Sequence, residues 1–487
     1  MKRLAALLAM SALGACSLEP HYVRPTPAVP TAFPGGAPYP ARGEAPLPGV
    51  SYRDVFRDPR LQALVEQALA NNQDLRQALA NIQSARALYR VQRADLFPAV
   101  DASGGVTTRR GSASSSGGAN NSGNTGGRDT ITTYDIQAGT TAWEIDLFGR
   151  VRSLSRSAFN QYLASEAAAR ATRLALVADI AGVWLQFAAD RSLLLVAEDT
   201  EKSARASVGL TQARLDGGVA PRTDLRQAQT VLATAEADRA RQTTLVAQDI
   251  NALQLLVGAP VAADMLPATI EDADSRLAEL PAGLDSGILL RRPDVVEAEY
   301  QLRAANARIG AARAAFFPRV SLTAVAGLAS TALSNLFTGG AFSWTVAPSA
   351  TLPIFDGGAN AGNLAYARAQ REAYLAAYQK AIQTAFREVA DALARRGTID
   401  AELNADQLNA AAAEDRLNLD TARYRQGIDP YLSALDAQRT FYSARRTLVN
   451  IRLTKARNLV DLYRTLGGDQ LVEAVPGAPA PAATQRR

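Results

Sequence analysis

The chain repeats itself, and that repetition limits the folds open to it more than any other feature. Ala213-Arg214-Leu215-Asp216-Gly217-Gly218-Val219-Ala220-Pro221 is matched 209 positions later by Ala422-Arg423-Tyr424-Arg425-Gln426-Gly427-Ile428-Asp429-Pro430. The register holds downstream, where Gln229 meets Gln438 and Gly258 meets Gly467. Upstream, Ala94-Asp95-Leu96-Phe97-Pro98 resembles Ala314-Ala315-Phe316-Phe317-Pro318, and Leu147-Phe148-Gly149 resembles Ile354-Phe355-Asp356-Gly357. The fold must therefore be built from two near-equivalent modules.

Each module mixes two periods. Val320, Leu322, Ala324, Ala326 and Leu328 alternate with Ser321, Thr323 and Gly327, and Phe342, Trp344, Val346, Ala350 and Leu352 alternate with Ser343, Thr345, Ala347, Ser349 and Thr351. In the first module Tyr134, Ile136, Ala138 and Ala142 oppose Asp135, Gln137, Gly139 and Thr141, and the run after Pro98 is a weaker partner. Such period-2 runs predict four strands, apolar on one side and polar on the other, as in a membrane β-barrel. The Gly/Ser/Asn tract over 111–127 reads as a long extracellular loop joining the first pair. Four strands cannot close a barrel, and lipid tolerates no open edge. Three copies supply twelve strands, within the range of about 8 to 26 for outer-membrane barrels.

Between the strands, Leu174, Val177, Ala181, Trp184 and Ala188 step along a coiled-coil seam. Residues 149–216 contain no Pro, so as one helix they extend roughly 100 Å. Gly217-Gly218 turns the chain at Pro221, a helix returns to Val257, and 293–317 completes the column up to the strand after Pro318. The other module repeats this arrangement with 358–426 descending, 430–466 returning and 74–97 completing the column. Segments such as 259–292 and a short helix over 61–69 are expected to form a belt. The predicted fold is an α+β membrane protein. It comprises a trimeric 12-strand β-barrel with four strands per chain, continuous with a long periplasmic α-helical barrel of coiled-coil hairpins and carrying an equatorial belt.

The N-terminus reads as an address. Met1-Lys2-Arg3 is basic, and residues 4–13 are apolar but too short for a span of ~20 residues. Leu13-Gly14-Ala15-Cys16 resembles a bacterial lipobox, which makes Cys16 a candidate for acylation and Ser17 a signal for the outer membrane; the alternative is an ordinary signal peptide that happens to hold a Cys. The expected segments are a signal peptide over 1–15, a lipidated Pro-rich segment over 16–55, a first repeat over 56–258, an equatorial segment over 259–292, a second repeat over 293–468 and a disordered tail over 469–487. The Pro-rich stretch is a linker or an ordered clamp along another surface.

Composition narrows the chemistry. One His (His21) and one Cys (Cys16), both near the start, exclude imidazole and thiol catalysis, disulfides, zinc fingers and iron–sulfur clusters in the remainder of the chain. Basic residues (52) barely exceed acidic ones (47) and are dispersed, so no nucleic-acid surface is expected. Gly357-Gly358-Ala359-Asn360-Ala361-Gly362 has phosphate-loop spacing without the Lys and Ser/Thr, at a junction that needs flexible backbone anyway. Glu144 and Asp146 serve as readily for wall residues as for an acid/base pair. No enzyme, cofactor or metal is expected.

Several segments resemble the outer-membrane factors of tripartite efflux pumps, TolC-like and especially similar to the OprM/NodT lipoproteins. They are the lipobox with Tyr22-Val23-Arg24-Pro25, Phe56-Arg57-Asp58-Pro59-Arg60-Leu61, Ala70-Asn71-Asn72-Gln73-Asp74-Leu75-Arg76, Arg86 to Pro98, Trp143 to Arg150, Arg291-Arg292-Pro293-Asp294-Val295 and Tyr431 to Arg439. The resemblance implies a homotrimer in the outer membrane, lipid-anchored and barrel-inserted. It implies a passive duct for small toxic compounds or drugs, joined by a periplasmic adaptor to an inner-membrane proton-coupled transporter. An outer-membrane duct for polypeptide secretion, type I-like, is the alternative. The resemblance further implies that Leu432 and Asp436 ring a closed periplasmic aperture, with Arg439 among the helix–helix contacts. On spacing alone, Asp436 and Arg439 are equally a surface pair. Adaptors of such pumps dock at hairpin tips, which makes Gly217, Gly218, Pro221, Gly427 and Pro430 docking candidates, although all five also punctuate turns.

Overall fold

Glycine and proline set nearly every boundary in the computed structural model, which describes residues 17–39, 51–110, 130–278 and 286–468. The elements are α1 (Tyr52–Val55), α2 (Pro59–Asn71), α3 (Gln73–Ala94), β1 (Asp101–Arg110), β2 (Thr130–Ile145), α4 (Arg150–Asp216), α5 (Arg222–Val257), α6 (Ile270–Asp274), α7 (Pro293–Ala314), β3 (Arg319–Ser330), β4 (Phe342–Thr351), α8 (Ala359–Arg425) and α9 (Tyr431–Thr465). The duplication is metric. Both long helices have 67 residues, their return arms 36 and 35, and the helices that precede β1 and β3 have 22 each. The signal peptide, Cys16, the tract over 111–127 and the tail over 469–487 lie outside the described residues.

Two units share the chain. The first comprises residues through Pro25, Gln83–Ala164 and Glu299–Ala376; the second comprises Thr26–Ile82, Ser165–Ala298 and the chain from Ala377. The first holds one antiparallel sheet in the order β1-β2-β3-β4, in which β1 and β4 are the edges among the described residues. Thr140 pairs with Ala324 and Trp143 with Leu322, so β2 carries one residue more than β3 between these pairs. This bulge alters the face pattern expected from strict alternation. Beyond it, Trp143 and Ile145, rather than Ala142, join the face of Tyr134, Ile136 and Ala138 opposite Val320 and Leu322. Ala142, at the bulge, takes φ 55°, and its N–H donates to Thr323 Oγ1 at 3.1 Å. Period-2 counting cannot detect an inserted residue.

In the second unit the coiled-coil seam is core, with Val177, Ala181, Trp184 and Ala188 at most 1% exposed. A window of α4 is long and apolar enough to cross a membrane, yet 72% of it is buried within the chain, so its apolarity is used in packing. The Asp58-Pro59-Arg60 motif starts α2. Asp58 accepts from the Arg60 N–H at 2.8 Å, and Arg60 bridges Asp58 and Asp272 at 2.7 and 2.9 Å while lying over the Trp184 ring. Trp184 Nε1 donates to Met265 O, which ties the segment after α5 to α4. Buried Arg292 bonds Asp294, Glu388 and the Thr465 carbonyl, and so closes the end of α9.

The Pro-rich segment is an ordered clamp over its described part. In the first unit Glu19 pairs with Arg156, Arg24 forks onto Glu299, and Pro20 O accepts from Asn306. A Cβ on Gly310 would stand 2.8 Å from Glu19 Cα, so only glycine admits the strap there. In the second unit Phe33, 6% exposed, stacks on Phe386 at 5.0 Å, and Gly397 makes the same kind of notch for Pro38 O.

Candidate functional site

The two hairpin tips are built by one device used twice. Gly218 takes φ +70°, its N–H donates to Leu215 O at 2.9 Å, and Val219 N–H donates to Arg214 O at 2.9 Å. Gly427 takes φ +78°, with Gly427 N–H to Tyr424 O and Ile428 N–H to Arg423 O both at 3.0 Å. These are Schellman turns that satisfy the last carbonyls of α4 and α8, and Pro221 and Pro430 then stand at the N-caps of α5 and α9. Each turn leaves an apolar side chain in solvent, Val219 at 70% and Ile428 at 58% exposure. Gly217, Gly218, Pro221, Gly427 and Pro430 thus hold turn geometry in the structure.

Leu432, Asp436 and Arg439 share the exposed face of α9, opposite buried Tyr431, Ala434, Leu435 and Gln438. Asp436 does not stand alone. Arg416 on α8 donates from Nη2 to Asp436 Oδ2 at 2.7 Å and also reaches Asp420 at 3.4 Å. That bond to Asp436 holds the Arg416 guanidinium above its ordinary range. Arg423 forks onto Asp429 at the same tip and pulls that carboxyl below its usual value. Arg416 and Asp436, like Arg423 and Asp429, are equidistant from Gln426, and mirror spacing about the turn was the available signal for both pairs.

The tips are also joined to each other, which no sequence spacing announces. Arg214, at the end of α4, donates from Nη1 to Tyr424 O at 2.6 Å and lies 4.7 Å over the Tyr424 ring. Tyr424 packs on Tyr431 at 5.3 Å within a cluster of Ala228, Ala434 and Leu435. Burial, reinforced by Tyr424 and Asp224, pushes the Tyr431 hydroxyl up to about 12. Farther from the tips, Tyr442 on α9 donates to Asp238 Oδ2 on α5 at 2.6 Å, and burial together with that bond raises it to about 12. Two hairpins thus meet through an Arg-to-carbonyl contact at the tip and a Tyr-to-carboxylate contact above it.

Other candidate groups are occupied structurally. Asp356 accepts from Gly358 N–H and Asn360 N–H, both at 2.9 Å, so the glycine-rich segment is the capped start of α8. Arg150 forks onto Glu144, and Asp146 accepts from the Arg152 N–H. Among the described residues no group of three or more His, Cys, Asp or Glu side chains is arranged to hold a metal ion.

Comparison with known proteins agrees with this architecture. The family model "Outer membrane efflux protein" matches residues 64–259 and 285–468. The chain is 44% identical over 458 residues to the probable efflux pump outer membrane protein TtgC of Pseudomonas putida, covering 94% of this chain and 93% of that protein. It is 41% identical over 463 residues to outer membrane protein OprJ of Pseudomonas aeruginosa, covering 95% of each. The open-state MtrE outer membrane channel of Neisseria gonorrhoeae superposes with a TM-score of 0.82 at 35% identity, covering 93% of this chain and 99% of that one. A membrane protein of Pseudomonas aeruginosa superposes with a TM-score of 0.84 at 38% identity, covering 93% and 100%.

Proposed function

This chain belongs to the outer membrane efflux protein family, and on that premise we propose that it is the outer-membrane exit duct of a tripartite efflux system. It conducts small toxic compounds passively from the periplasm to the outside. The observation that carries the reading is the four-stranded sheet with two unpaired edges, attached to helices of 67 residues. Such edges are stable in a bilayer only when neighbouring copies pair with them. Three copies close a 12-strand barrel, and the paired helical hairpins form the periplasmic part. Relatives whose names specify toluene, solvent and antibiotic efflux support small molecules over polypeptides as the cargo. Catalysis has no part in this reading, because passage through a duct makes and breaks no bond.

The periplasmic gate consists of Leu432, Asp436 and Arg439, with Asp436 held by an intrachain partner. Arg416 neutralises Asp436 in each copy, and the Arg214–Tyr424 contact ties the moving tip to its neighbour. Arg439 lies on the same face, positioned for contact between copies. Exposed Val219 and Ile428 make both tips adhesive toward a periplasmic adaptor, which links the duct to a proton-coupled inner-membrane transporter. Cys16 carries the lipid anchor, and the strap that begins at Ser17 leads it to the sheet-bearing unit.

Intracellular accumulation of dyes, antibiotics and metal ions in a deletion strain tests the duct: restored export of small molecules on complementation is expected, and unchanged accumulation with altered secreted protein supports polypeptide secretion instead. For the gate, Leu432→Ala with Asp436→Ala is expected to raise single-channel conductance, and unchanged conductance removes the assignment. Palmitate labelling lost in Cys16→Ser is the expected sign of the anchor; equal labelling refutes it.

A further inference from the structure

The duplication supplies a template for a contact that one copy cannot make. Where β2 leaves the sheet and β3 enters it, Phe148 stacks on Phe317, with ring centroids 4.8 Å apart and planes 24° apart. The last ladder pair above them is Ile145 with Val320. Under the internal repeat, Phe148 corresponds to Phe355 and Ile145 to Leu352, while Phe317 corresponds to Phe97 and Val320 to Val100. The equivalent pairs would therefore be Phe355 with Phe97 and Leu352 with Val100. In a single chain they lie at opposite edges of the sheet, after β4 and before β1.

All four are open to solvent. Phe355 is 91% exposed, Val100 72%, Phe97 64% and Leu352 45%. On each edge an aromatic ring and an aliphatic side chain lie bare together at the strand end, a small apolar patch of the kind that marks an interaction surface. Lipid is a poor candidate, since Phe355 directly precedes Asp356, whose carboxylate caps α8, and the ends of β2 beside them carry the Glu144–Arg150 and Asp146–Arg152 pairs. The place is a polar boundary rather than hydrocarbon.

We propose that Phe355 of one copy stacks on Phe97 of the next, with Leu352 above it against Val100, as an apolar collar that seals the base of each β4–β1 junction. The inference rests on closure of the sheet by neighbouring copies. Strands alternate in direction through the sheet, so β4 meets β1 of the next copy antiparallel. Chain leaving β4 then faces chain entering β1, as chain leaving β2 faces chain entering β3. One stacked pair inside each copy and one between copies would ring the barrel base with alternating equivalent seals.

Cysteine pairs test this, because facing antiparallel residues have Cα atoms about 4.5–5.5 Å apart, inside the range of about 4.4–6.8 Å that a disulfide spans. Leu352→Cys with Val100→Cys is expected, on mild oxidation in membranes, to convert most chains to covalent trimers that survive boiling in detergent without reductant. Neither single variant should form them. Ile145→Cys with Val320→Cys is the internal control and should form a disulfide within one chain. Trimers that remain intact by native mass measurement, with the control bridged and the 352/100 pair unlinked, overturn the collar but leave closure standing. A monomeric wild-type chain in membranes overturns closure and the collar together. Quenching of a fluorophore on Phe355→Cys by nitroxide lipids places that side chain in lipid and also overturns it. Phe355→Ala and Phe97→Ala are each expected to lower the temperature at which trimers dissociate, and the double variant to lower it no more than the larger single effect.

Discussion

Phe33→Ala tests whether the N-terminal strap is a clamp with its own anchor. Phe33 is 6% exposed and its ring lies 5.0 Å from that of Phe386 at 22°. Truncating a buried Phe costs about 3–5 kcal/mol when the cavity persists, to which aromatic stacking adds about 0.5–1.5 kcal/mol. The strap has another choice. Beside Phe33 the backbone is tied to the body by the bond from Ser286 N–H to Thr31 O at 3.2 Å, and an extended segment of this kind meets the cost by opening rather than by unfolding helices. A loss of about 3 kcal/mol raises the open fraction by roughly two orders of magnitude, at about 1.4 kcal/mol per tenfold. Hydrogen exchange at the Ser286 amide and over 26–39 should accelerate by that factor, while the helical melting temperature stays within a degree or two. If exchange there is unchanged and the helices melt earlier instead, Phe33 is a member of the body's core and the reasoning fails.

Gly258→Ala should destabilise more than Gly218→Ala in thermal melts. Both positions sit at φ near +70°, which costs an L-residue about 1–2 kcal/mol, but the added Cβ at 258 also lies 2.9 Å from Asn71 O, whereas at 218 it meets nothing within 4 Å. Arg60→Met should cost about 3 kcal/mol, because it leaves the Asp58 carboxylate, 1% exposed, with only the more distant Arg276 at 3.6 Å as a charged partner; chemical denaturation measures it, and a neutral result refutes the pairing argument. Asp249 is pushed up to about 7 by burial and then by the Asp190 carboxylate, against the opposing charge of Arg457. An acid whose folded pKa is raised binds its proton more tightly when folded, so stability is complete below about 4 and falls as pH rises toward 7. Asp249→Asn should flatten that decline, and an unchanged stability–pH profile between pH 4 and 7 refutes the assignment.

Boundaries were legible wherever a backbone requirement coincided with a period change. Arg150–Asp216, Arg222–Val257 and Tyr431–Thr465 fall within a residue or two of positions dictated by Gly217-Gly218, Pro221, Gly258 and Pro430. The strands were equally readable, except at the bulge before Trp143, where one additional residue reverses the face without altering composition. At the tips, the exposed line of Leu432, Asp436 and Arg439 follows from helical spacing. The partners Arg416 and Arg214 do not, because one is set by folding about a turn and the other by the packing of two hairpins 210 residues apart in sequence. The strap was ambiguous for a different reason. Polyproline spacing fixes an extended backbone but does not name the surface beneath it, and the notches that reveal that surface, Gly310 and Gly397, look in sequence like ordinary weak points in a helix.

Matched helix lengths have a consequence for how such a chain can change over time. Arms of 67 and 36 residues in one repeat face 67 and 35 in the other. Adding a single residue to one arm rotates everything beyond it by about 100° and turns its apolar stripe away from its partner. Only additions near seven residues, made on both sides of a hairpin and in both repeats, keep all the stripes aligned. Hairpin length is therefore quantised in steps of about 10 Å, and a change demands several coordinated insertions at once. A lineage that needs hairpins of a different length must therefore change both arms of both repeats together.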